Sequence, residues 1–138
     1  MKVILLEDET KENGIIRGVE AHVKSAGGEM IRVTRPNHAL PHLTQGNIDL
    51  VVIHHYSEPG KESFDDVDTL RSQFPSIKYA GYSGNLRIAL EYAHVPNSPG
   101  VEFIKKFKEH YDFALFNIAG DLAQALKKVQ EGKKWQIN

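Results

Sequence analysis

The chain has 138 residues, 41% hydrophobic and 25% charged, which suits one well-buried domain and speaks against a disordered or membrane-embedded protein. Seventeen basic against eighteen acidic residues leave a net charge of −1, without the basic field that gathers nucleic acid, so no direct nucleic-acid contact is expected. Cysteine is absent, which removes disulfides, thiolate nucleophiles and cysteine metal sites.

No run reaches the roughly 18 apolar residues of a spanning helix. The first six residues meet acids at once, unlike a signal peptide, so a cytoplasmic protein without membrane contact is expected. Lys2 to Leu6 reads as a buried strand. Thr10 is placed to cap a helix through about Ser25, with Ile15, Val19 and Val23 on one face and Gly27 and Gly28 as its stop. Glu29 to Thr34 is a more polar strand suited to a sheet edge. Asn37 is then expected to cap a short helix that Pro41 interrupts or restarts and Gly46 ends.

Ile48 to Ile53 is the third strand, followed by a loop with Pro59 and Gly60. A helix from about Phe64 to Phe74 places Val67, Leu70 and Phe74 on one face, and Pro75 closes it. Ile77 to Tyr82 is the fourth strand. Asn85 to His94 and Val101 to Tyr111 read as helices around the breaker VPNSPG, and Asp112 to Phe116 reads as the fifth strand. The last helix runs from about Gly120 to Glu131, with Leu122, Leu126 and Val129 inward. One domain over residues 1–132 and a tail over 133–138 are expected.

Short continuous apolar runs alternating with helical segments mark a parallel sheet covered on both faces. Five such strands with right-handed crossovers give a flavodoxin-like, doubly wound α/β fold of order 2-1-3-4-5. In that order ligands sit beyond the carboxyl ends of strands 1 and 3, where Glu7, Asp8, His54, His55, Ser83 and Phe116 fall.

The sequence resembles the receiver domains of two-component response regulators over nearly its whole length. VILLEDE is similar to the family's first strand, whose closing acids help hold magnesium, and Glu7 and Asp8 match them. IDLVVIH is similar to the third strand, with His54 at the place of the phospho-accepting aspartate. KYAGYSG is similar to the fourth, with Ser83 as the switch hydroxyl. YDFALFN is similar to the fifth, with Phe116 and Asn117 at the places of the conserved-pattern lysine and proline.

The resemblance therefore implies a pseudo-receiver. An imidazole supplies no anionic oxygen to attack phosphorus or to bind a hard cation, and Phe116 offers no ammonium to pair with an acyl phosphate. The expected function is non-catalytic signalling through phosphorylation-independent protein contacts, with a separate protein or a second copy as partner. No cofactor is expected beyond weak magnesium binding by Glu7 and Asp8, and a solvated acidic loop is an equal reading of that pair.

Two other readings stand beside it. One is a small enzyme or metal protein using His54, His55, Glu7 and Asp8, although adjacent strand residues point to opposite faces and make a poor joint site. The other is a receiver phosphorylated at another residue, His54 nitrogen among the candidates. Ser83 reads also as an ordinary helix-starting serine, and Phe116 as core or as an aromatic neighbour of Tyr82. Residues 85–111 exceed the matching part of an ordinary receiver. Phe103, Lys106, Phe107 and Tyr111 there, with Trp135 near the C-terminus, are the candidate partner contacts.

Overall fold

The computed structural model describes residues 1–7, 14–55 and 63–136, with side chains for all of these but 85 and 133–136. The apolar runs form β1 (Lys2–Leu6), β2 (Glu29–Val33), β3 (Leu50–His54), β4 (Lys78–Tyr82) and β5 (Phe113–Ala114). All pairings are parallel, in the order β2-β1-β3-β4-β5, as the alternation of elements required. The helices are α1 (Gly14–Ser25), α2 (Pro36–Gln45), α3 (Ser63–Gln73), α4 (Gly84–Glu91), α5 (Pro99–His110) and α6 (Ile118–Gln136).

Strand side chains alternate between faces, so each central strand feeds two cores. Val3, Leu5, Leu50 and Val52 pack against Ile16, Val19 and Val23 of α1 and Leu122 and Leu126 of α6. Ile4, Leu6, Val51 and Ile53 pack instead against α2, α3 and α5. On α1 the inward residue is Ile16 rather than Ile15, which stays 42% exposed. The helix ends as the glycines required: Gly27 takes φ 78°, its amide donates to the Lys24 carbonyl, and the Gly28 amide reaches back to that of Val23. The expected cap Thr10 and the loop with Pro59 and Gly60 lie outside the described residues.

Several boundaries differ from the sequence reading, at α2 and the last helix among others. In α2 the cap is Arg35, not Asn37, because Pro36 occupies the first turn, where its fixed φ fits and its missing N–H costs nothing. Pro41 lies inside the helix without breaking it. The last helix begins earlier than Gly120, since one Asp121 carboxylate oxygen accepts from the amides of Phe116 and Asn117 at 2.8 and 3.0 Å and satisfies the donors leading into it. It also continues to Gln136, so residues 133–136, expected in a tail, prolong α6.

The long segment before β5 folds as two packed helices, α4 and α5. Ser98 caps α5 by accepting from the Val101 amide, and Pro99 follows in its first turn. Gly100 lets the pair close: a Cβ there would stand 2.8 Å from the Ala89 carbonyl oxygen. Opposite α5, Gly81 of β4 plays the same part, because a Cβ on it would lie 2.7 Å from ring atoms of both Phe107 and Tyr111. Gly81→Ala is therefore expected to lower unfolding free energy by about 1–3 kcal/mol through overpacking. Urea unfolding measures it, and an unchanged midpoint would mean that α5 does not press its rings onto β4.

Candidate functional site

The carboxyl ends of β1, β3 and β4 meet because the sheet order sets β1 beside β3 and β3 beside β4, with His54 in register with Tyr82. Glu7 follows β1, and its side chain lies in the interior, with the residue 1% exposed. A carboxylate so placed is costly unless its oxygens are hydrogen-bonded. Both are engaged: His54 donates from Nδ1 to Oε1 at 2.8 Å, and the Tyr82 hydroxyl donates to Oε2. The His54 and Tyr82 rings stack at 4.9 Å between centroids, 6° from parallel.

These three residues form a polar clasp across three strand ends. Two donors thus engage Glu7, the acid that the sequence resemblance matched to a magnesium ligand. Glu7 orients the imidazole, which turns its Nδ1–H to the carboxylate. Asp8 lies outside the described residues. Among the described residues no three histidine or acidic side chains gather to hold a metal ion. A nitrogen ligand at His54 and an occupied Glu7 do not fit the oxygen-rich cage that magnesium prefers.

His55 points to the other face, as strand alternation required, so the two histidines make no joint site. It is 2% exposed among Phe64, Phe103, Phe107 and Tyr111, with the Phe64 ring at 4.2 Å and the Phe107 ring at 5.1 Å. Its Nδ1 pairs with the Tyr111 hydroxyl at 2.9 Å, and its Nε2 has no hydrogen-bond partner. Burial, followed by the nearby His110, His54 and Lys106 charges, lowers its pKa to about 4. His55 is a neutral core residue, not a ligand.

Ser83 directly follows β4, and Phe116 lies two residues beyond β5, which keeps only Phe113–Ala114 of the expected Asp112 to Phe116. Tyr82 stacks on His54, while Lys108 Nζ lies 6.0 Å from the Phe116 ring centroid. Both aromatics line a crevice of about 560 Å³ with His54, Ser83, Arg87 and Asn117. Two of the proposed partner contacts are corrected by burial: Phe107 is fully buried and Tyr111 nearly so, because they are the knobs that seat α5 on Gly81. Phe103 is partly buried, Lys106 is exposed with Nζ 4.8 Å over the Phe64 ring, and of Trp135 only its place in α6 is described.

Tyr82 is the site residue that strand reading alone did not assign to Glu7. Its signal was a tyrosine closing a largely buried strand, a hydroxyl in need of a buried partner.

No known family model matches the chain, and no curated protein matches it. Solved structures do. A response regulator from Thermotoga maritima is 19% identical, with a TM-score of 0.66 over 93% of this chain and 95% of that one. The receiver domain of a Francisella response regulator is 17% identical, with a TM-score of 0.65 over 96% and 98%. Response regulator protein TrrA of Thermotoga maritima, in complex with Mg(2+)-BeF, is 18% identical with a TM-score of 0.60 over 93% and 97%, and it is also known in complex with the histidine kinase ThkA. At such identities the likeness speaks for the fold: this chain has the CheY-like receiver fold, with a clasp of glutamate, histidine and tyrosine at the ends of its central strands.

Proposed function

We propose that this chain is a pseudo-receiver, a non-catalytic signalling module that acts through protein contacts independent of aspartyl phosphate. The observation that supports it is the Glu7–His54–Tyr82 clasp, whose hydrogen bonds tie together the residues that the resemblance sets at the family's acid and nucleophile. With a ring nitrogen at the attack position and Phe116 in place of a cation, neither the mixed anhydride nor its electrostatic readout has the groups it needs.

A protein partner is the reading that TrrA's complex with a histidine kinase supports for this fold. The surface that suits such a contact is α4 and the turn after it. Ile88, Leu90, Tyr92 and Val95 account for four of the five large apolar residues left exposed among the described ones. The same surface suits a second copy of the chain as well as a different protein.

Incubation with acetyl phosphate and magnesium, followed by intact mass and by acid and base stability of any adduct, tests the reading. An unmodified mass is expected. A base-labile adduct of one phosphoryl group would overturn it in favour of an acidic acceptor, and an acid-labile, base-stable one in favour of histidine.

A further inference from the structure

We propose that the crevice above the clasp binds a small organic anion, a carboxylate or phosphate monoester head carried on an apolar body. The inference concerns occupancy of this crevice alone and holds whether or not the chain docks a protein.

The crevice, at about 560 Å³, is of the size that takes small ligands. One wall is apolar, and Ile15 and Leu90 on it are 42% and 50% exposed, so a ligand body would remove from water large side chains that the fold itself leaves open. The fixed charge on its described lining is positive. Among the described lining residues the exposed Arg87 is the one with a fixed charge, and its side chain forms no salt bridge or hydrogen bond with a described residue. No described carboxylate lines the crevice, and Glu7 has both oxygens engaged by His54 and Tyr82.

The backbone adds to the same sign. Gly84 at the start of α4 and Ile118 and Ala119 at the start of α6 all line the crevice, so two helices open toward it with the positive ends of their dipoles. A guanidinium offers a fork of donors to a carboxylate or phosphate, while the apolar wall selects against a bare inorganic ion. The two requirements together define the ligand class.

The test is a titration of the full chain by heteronuclear NMR with phenyl phosphate and benzoate. Inorganic phosphate supplies the head alone and benzyl alcohol the body alone. Saturable shifts at residues 15, 87, 90 and 118 are expected with at least one organic anion. Binding should weaken about tenfold or more in Arg87→Gln, the size of effect that a charge-assisted contact carries. It should be unchanged in Tyr92→Ala, which lines a different groove between α4 and α5. Absence of saturation with both anions would overturn the proposal. So would equal binding by Arg87→Gln, or binding of benzyl alcohol or inorganic phosphate as tight as that of the organic anions.

Discussion

Phe107→Ala is expected to cost about 3–5 kcal/mol of unfolding free energy, the range for deleting a buried aromatic ring. The ring is fully buried and stacks with Tyr111 at 4.4 Å between centroids, with the His55 and Phe64 rings at 5.1 and 6.1 Å. Beneath it lies the space that Gly81 leaves open, so the cavity formed cannot be filled by a neighbouring side chain from β4. Tyr92→Ala, on the exposed turn after α4, should by contrast stay within about 0.5 kcal/mol of the parent. Urea titrations of the two variants separate a core role from a contact role. A stability loss below about 1 kcal/mol for Phe107→Ala would return that residue to the surface.

The contrast shows which parts of the molecule the sequence made legible. Continuous apolar runs such as Leu50 to Ile53 can be buried on both faces only in a parallel sheet, so strands and their order followed from local pattern and crossover rules. The opposite pointing of His54 and His55 followed from the period of two. Glu7 and His54 were readable as strand-end residues, but their bond to each other and to Tyr82 joins positions 47 and 75 residues apart. Such a bond depends on register and side-chain direction, which no local pattern contains. The misplacement of Phe107 and Tyr111 has a different cause. Phe103, Phe107 and Tyr111 recur four apart, a pattern that fits a partner-facing stripe and a core-facing stripe equally. What decides between them is Gly81, 26 residues before Phe107, whose missing side chain makes room for two rings.

Acid should weaken the fold through His55, and the sign follows from where the proton goes. Its pKa is about 4 in the folded chain against 6.5 for an ordinary histidine, so on acidification the unfolded chain takes the proton first. The contribution of neutral His55 is therefore fully present above about pH 7, falls as pH drops through 6.5, and is lost by about pH 4. At about 1.4 kcal/mol for each tenfold change in proton affinity, the whole loss is at most about 3.5 kcal/mol. The cause is structural: a charged imidazole would carry two N–H donors, and the second, at Nε2, has no acceptor in its aromatic surroundings. His110 is held by Asp68 at 2.6 Å beside the same cluster, and Asp66, whose pKa burial and then Asp65 raise, lies near enough to act on Tyr111. A variant isolates the histidine. His55→Leu alone would strand the buried Tyr111 hydroxyl, whereas His55→Leu with Tyr111→Phe removes both partners and keeps the ring over Gly81. That double variant should stay within about 1 kcal/mol of the parent at pH 7.5. Urea unfolding at intervals from pH 7.5 to 4 should show its stability falling less than the parent's. An equal fall in both would assign the acid sensitivity to carboxylates and leave His55 out of it.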